Sequence, residues 1–202
     1  MMQIVTSTQL TAVILAGGMG RRMGGQDKGQ LKFQGQPLIE LILKAIRPQV
    51  EHILINANRN QEEYARYGFP VCGDRLEGYQ GPLAGFAAAM AASPTPYIVT
   101  LPCDGPFVVP DLVSRMLRAI NRNGADIAVA HDGKRLQPVY ALLPTRLLPD
   151  LESFLASGGR KIDRWYTQHR MALADFSDAQ QMFMNINTPE DRQQLQQEAL
   201  SE

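Results

Sequence analysis

Residues 12–28 read AVILAGGMGRRMGGQDK, an apolar run that breaks without transition into a glycine-rich, basic loop. Residues 12–16 form a short buried strand, apolar at every position and closed by glycine, as strands of parallel sheets are. Gly17, Gly18, Gly20, Gly24 and Gly25 then strip side chains from a stretch where the backbone must approach a ligand, leaving N–H groups free to face oxyanions. Arg21, Arg22 and Lys28 add positive charge. Without an anionic partner such a loop would be self-repelling and poorly packed, so it reads as a cradle for phosphates rather than as a plain surface connection.

Two familiar phosphate loops do not fit. No Gly-Lys-Ser/Thr occurs in the chain, which removes the Walker pattern. The dinucleotide fingerprint fails at Met23, where it needs glycine or alanine, and Gly24, Gly25 and Gly29 prolong the loop where a helix should start. A nicotinamide or flavin site is therefore not expected.

Further strands are expected over residues 52–57, 70–72, 97–102, 126–130 and 139–143, with helices over 38–46, 82–92 and 111–120 between them. A closing helix should run from Thr188 to about residue 198, capped by Thr188 with Pro189 in its first turn. His131-Asp132-Gly133-Lys134 reads as a hairpin turn. This alternation predicts a three-layer α/β/α, Rossmann-like fold with a mostly parallel central sheet. At 202 residues the chain is expected to form one domain spanning 1–202. Ligands of such sheets bind beyond the carboxyl ends of the strands, which directs attention to the loops after Ala16, Ala57, Cys72 and Pro102.

Twenty cations balance twenty anions, so no global field favours nucleic acid or an anionic membrane. No apolar stretch approaches the roughly 20 residues of a membrane span, and MMQIVTSTQL lacks the form of a signal peptide, so a cytoplasmic protein is expected. Cys72 and Cys103 lack metal-ligand spacing and are expected to be reduced thiols. His52, His131 and His169 do not cluster either, and no Ser/His/Asp or Cys/His arrangement supports covalent catalysis.

The carboxyl-edge loops hold what a nucleotide site needs. Asn56-Ala57-Asn58-Arg59 offers amides that donate and accept at once, suited to a purine edge or a ribose hydroxyl, although asparagines at strand ends also satisfy local backbone. Asp74 in CGDR can accept from guanine N1–H and N2–H, bind a sugar hydroxyl, or pair with a surface cation. Gly81-Pro82-Leu83-Ala84-Gly85 gives a rigid helix entrance with little side chain, against which a base can lie. Asp104 ends the buried run Ile98-Val99-Thr100-Leu101-Pro102-Cys103 and is held between Pro102 and Pro106; magnesium needs only one or two such carboxylates. Gly158-Gly159-Arg160-Lys161 is a basic turn suited to an acidic acceptor.

The pattern LAGG-x-x-x-RMG, here Leu15 to Gly18 and Arg22 to Gly24, followed by Asp27-Lys28, resembles the GT-A-like nucleotidyltransferases. It is most similar to the molybdenum cofactor guanylyltransferases, the MobA family. Asp104 matches that family's metal-binding position, and Met184-Asn185-Ile186-Asn187-Thr188-Pro189 its late motif. The resemblance implies an Mg²⁺-dependent enzyme that joins GMP from GTP to the terminal phosphate of molybdopterin and releases pyrophosphate. It further implies catalytic roles for Arg22, Lys28 and Asp104. Nucleotide contacts fall to Leu15, Ala16, Gly17, Gly18, Lys28, Asn56, Asp74, Gly81, Pro82 and Asp104, metal to Asp104, and acceptor to Arg160, Lys161, Asn185 and Asn187. Related sequences often carry an Arg-Arg pair where this one has Arg160-Lys161, and lysine does not reproduce a bidentate guanidinium. Other proteins of molybdenum-cofactor biosynthesis and recipient molybdoenzymes are the implied partners, with neither nucleic acid nor membrane among them. A cytidylyltransferase, a sugar-phosphate nucleotidyltransferase, and a delivery protein that binds GTP or molybdopterin without turnover stay open as alternatives.

Overall fold

The computed structural model describes residues 4–18, 27–75, 81–186 and 191. Its centre is β1 (Leu10–Leu15), an apolar strand flanked on both sides by parallel neighbours, β4 (His52–Asn56) and β6 (Tyr97–Pro102). β5 (Val71–Cys72) extends the parallel set beyond β4. Beyond β6 lie β8 (Leu136–Pro144), β7 (Ile127–His131) and β9 (Met171–Asp175), giving the seven-stranded order β5-β4-β1-β6-β8-β7-β9. Only β8 runs against its neighbours, so the sheet is mostly parallel as the sequence predicts. The reversal uses the expected turn, where the Asp132 carboxylate accepts the N–H groups of Lys134 and Arg135, each at 2.7 Å. A small hairpin, β2 (Lys32–Phe33) with β3 (Gln36–Pro37), stands apart.

Helices cover both faces. On one, α1 (Leu38–Ile46) buries Leu38, Ile39, Ile42, Leu43 and Ile46, the spacing of one helical stripe, and α4 (Leu112–Asn123) lies beside it with Leu112, Val113 and Met116 inward. The short α2 (Gln61–Ala65) adds Tyr64 to this side. On the other face, α3 (Pro82–Ala92) is apolar nearly all round because it is covered twice, by the sheet and by α5 (Leu148–Ala156) and α6 (Ile162–Tyr166). α1 and α3 occupy the residues expected of them. α2, α5, α6 and β9 add to the sequence reading, and β8 starts three residues earlier than expected. The expected helix over 188–198 lies outside the described residues except for Asp191, which is helical. Among the described residues no helix is long and apolar enough to cross a membrane.

Register fixes where the site must be. Leu15 pairs with Asn56 and with Pro102, and Asn56 with Cys72, so four parallel strands end in one row. The loops after them open onto a single edge, as anticipated.

Candidate active site

The ladder continues one step past the strand ends before the chain turns into loops. Ala16 N–H donates to Asn56 O at 2.7 Å, Ala57 N–H to Cys72 O at 2.8 Å, and Cys103 N–H to Leu15 O at 3.1 Å. These bonds anchor Leu15 and Ala16 at the base of the glycine loop and deliver Asp104 onto the edge beside it.

Asp104 is 8% exposed. Its Oδ2 lies 2.8 Å from Lys28 Nζ, joining the far end of the glycine loop to the end of β6. No hydrogen bond from the described residues reaches Oδ1. Its backbone carbonyl accepts Ile186 N–H at 2.9 Å, which docks the late motif onto the same residue. Asn185 follows: its Oδ1 lies 3.3 Å from where a Cβ on Gly105 would stand. Ile186 packs with Phe33 and Leu38 in a small apolar cluster, so the docking has its own core. Arg22 and Asn187, with Gly20, Gly24 and Gly25, lie outside the described residues.

Across the edge, Asp74 is held by two asparagines. Asn56 Nδ2 donates to Oδ1 at 3.1 Å, Asn58 Nδ2 donates to Oδ2 at 2.8 Å, and Asp74 N–H returns a bond to Asn58 Oδ1 at 2.7 Å. Asn56 is buried and its own Oδ1 faces α3, where a Cβ on Gly85 would stand 2.6 Å away. Gly81, with φ +78°, turns the chain into α3, and Pro82 fills the first helical position. Asn56 thus links Asp74 to the face of α3 on which Gly85 lies. Asp74 presents a fixed, doubly hydrogen-bonded carboxylate, and among the described residues no cation is paired with it.

The basic turn reaches this edge by topology. β8 descends to the opposite edge, α5 climbs back alongside α3, and Gly158-Gly159-Arg160-Lys161 follows at its top. Arg160 Nη1 donates to the carbonyls of Leu155 and Gly159 at 2.8 and 2.6 Å, closing the end of α5, and Lys161 caps α6. Both cysteines are free thiols. Burial pushes the Cys103 thiol far above its ordinary range and raises that of Cys72, which favours the protonated thiol in both.

Four residues of the site had no role in the sequence reading. Arg59 Nη2 donates to Gly18 O at 3.2 Å. Asp27, Asn60 and Tyr64 form a cluster at the other end of the glycine loop. Asp27 and Arg59 stood inside motifs the sequence reading named, Asp27-Lys28 and Asn56-Ala57-Asn58-Arg59, and Tyr64 stands out only as an aromatic in the polar run NRNQEEYARYG.

A parallel sheet whose glycine loop and strand-end carboxylate meet across a lysine is the frame of a nucleotidyltransferase. The profile of the MobA-like NTP transferase domain matches residues 12–173, and the chain belongs to that family. It is 53% identical over 189 residues to a molybdenum cofactor guanylyltransferase of Shewanella sediminis, covering 94% of this chain and 96% of that one. The namesake protein of Shewanella loihica is 52% identical over the same shares. Among solved structures, the molybdopterin-guanine dinucleotide biosynthesis protein A of Archaeoglobus fulgidus superposes with a TM-score of 0.79 at 23% identity, over 95% of this chain and 100% of that one. A 4-diphosphocytidyl-2C-methyl-D-erythritol synthase from Anaerococcus prevotii shares the fold, with a TM-score of 0.75 at 12% identity over 96% and 97%.

Proposed function

We propose that this chain transfers the guanylyl group of GTP to the terminal phosphate of molybdopterin, working in the cytoplasm as one domain. The observation that carries the chemistry is the Lys28–Asp104 pair, a cation from the glycine loop set 2.8 Å from a nearly buried carboxylate at the end of β6. An oxygen of the acceptor phosphate forms a bond to the α-phosphorus of GTP, the bond to the bridging oxygen breaks, and pyrophosphate leaves. Such a transfer needs no protein nucleophile, only positioning and charge neutralisation.

The glycine-loop amides, Arg22 and Lys28 bind the triphosphate and stabilise the departing pyrophosphate. Asn56, Asp74, Gly81 and Pro82 surround the nucleoside, and Asn185, Asn187, Arg160 and Lys161 face the acceptor. Asp104 is suited to Mg²⁺, because a hard cation that keeps several waters and substrate oxygens needs one protein carboxylate, and no hydrogen bond from the described residues occupies Oδ1. Among the described residues no group of three or more acidic, histidine or cysteine side chains is gathered to hold a metal, so Asp104 would hold it with water and substrate oxygens alone. When bound there, Mg²⁺ would supply charge neutralisation at the α-phosphate. Lys28 must then exchange part of its contact with Asp104 for the phosphates, a move its flexible four-carbon stem allows.

The test is pyrophosphate release from GTP, CTP and ATP with molybdopterin and Mg²⁺. Turnover with GTP in clear excess over the other two is the expected result. Turnover with CTP instead would assign a cytidylyltransferase, and binding without pyrophosphate would assign a delivery protein.

A further inference from the structure

Tyr64 is completely buried, yet its hydroxyl is directed out of the apolar core toward the glycine loop. It donates to Asp27 Oδ1 at 2.5 Å. The same oxygen accepts Gly29 N–H at 3.2 Å, and Oδ2 accepts from Asn60 Nδ2 at 2.9 Å. Asn60 sits in the left-handed region, at φ 53°, which aims its amide at the loop while its carbonyl receives Tyr64 N–H at 3.1 Å. Lys28 is the next residue along the chain. Gly29 is required by the same contact, because a Cβ there would overlap the Tyr64 hydroxyl and approach its ring to 3.2 Å.

From this geometry we propose that Tyr64, acting through Asp27, is a positioning residue that fixes where Lys28 delivers its charge. A lysine ammonium on a long flexible stem is directed mainly by where its backbone is held. Here the backbone on either side of Lys28 is held: Asp27 by a tyrosine and an asparagine from the segment after β4, Gly29 by Asp27 itself. Three donors satisfy the Asp27 carboxylate without calling on the neighbouring ammonium, which points to Asp104 instead. Burial raises the Tyr64 hydroxyl far above its ordinary range, so it remains a donor at any working pH.

The inference rests on the assignment of Lys28 to the triphosphate, and a double-mutant cycle in the full-length enzyme separates the two. Tyr64→Phe keeps the ring in the core and removes only the donor. It is expected to lower kcat/KM for GTP by about 10- to 100-fold, the scale of a misplaced charged group. In calorimetry it should weaken GTP while leaving guanosine, which lacks phosphates, as in the parent. In a Lys28→Met background, adding Tyr64→Phe should change kcat/KM by less than about twofold, because the group it positions is gone. Equal losses with and without Lys28 would overturn the positioning role alone. A Lys28→Met variant with parent-like GTP kinetics and binding would instead remove the phosphate assignment on which it rests. Asn60→Gly, which keeps the left-handed backbone and removes only the amide, gives a second arm: a smaller loss that also vanishes without Lys28 supports the clamp, and one that persists sinks it.

Discussion

At the scale of single residues, Asp104 carries the heaviest demand, since its nearly buried carboxylate meets the lysine through one oxygen. Asp104→Asn keeps the size and removes the charge. We expect turnover to fall by at least about 100-fold, measured as pyrophosphate release at saturating GTP and Mg²⁺, with an unchanged far-UV circular dichroism spectrum. Asp74 poses a different question, because both of its oxygens are already taken by asparagine amides. A carboxylate held so firmly has its remaining lone pairs aimed in fixed directions, which suits selection of guanine N1–H and N2–H. Asp74→Ala is therefore expected to weaken GTP more than ATP in calorimetric titration, by about 1–3 kcal/mol of discrimination. Equal weakening of both would assign the carboxylate to the ribose. The sequence reading grouped Asp104, Asn56 and Asp74 because each ends or follows a strand, where ligands of this architecture gather, and Lys28 because it closes the glycine-rich loop. The Tyr64–Asp27 bond was not legible in the sequence, since a side-chain contact across 37 residues leaves no periodic trace.

At the scale of elements, legibility followed the strength of the local pattern. α1 shows one clean apolar stripe and α3 an unbroken alanine-rich run behind Gly-Pro, so both declare their limits. β9, Met-Ala-Leu-Ala-Asp, carries two alanines with little strand preference and half-buried alternation at the sheet edge, a signal its pairing with β7 supplies only after folding. α2 and α6 are five residues each, too short to persist without tertiary bonds. The amino edge of β7 is tied to β9 by Asp126, whose carboxylate accepts from Arg170 Nε at 3.1 Å and Nη2 at 3.2 Å, and from Arg146 Nη2 at 3.4 Å. The Arg170 guanidinium holds its pKa down to about 2, below the roughly 3.9 of an unfolded aspartate. A depressed folded pKa means stabilisation present above the unfolded value and lost as pH falls through the folded one. Asp126→Asn should therefore unfold at lower urea concentration at neutral pH, and the gap to the parent should close between about pH 4 and pH 2.

At the scale of the whole molecule, two apolar layers share one sheet, so neither can be exposed without unpairing strands that serve the other. The single tryptophan, Trp165, is buried in the layer of α3, α5 and α6, with Nε1 donating to Asp150 Oδ2 at 2.7 Å. If the chain is one cooperative domain, its fluorescence and the far-UV circular dichroism should report the same urea midpoint; two separated transitions would divide it into independent units. The bond from Ile186 to the Asp104 carbonyl has a consequence in time as well as in space. A ribosome adding roughly 5–20 residues per second exposes Asp104 on the order of ten seconds before Ile186 follows. Through that interval the Asp104 carbonyl lacks the partner that seats it. The order of translation thus makes the seating of Asp104 wait for a segment made long after it.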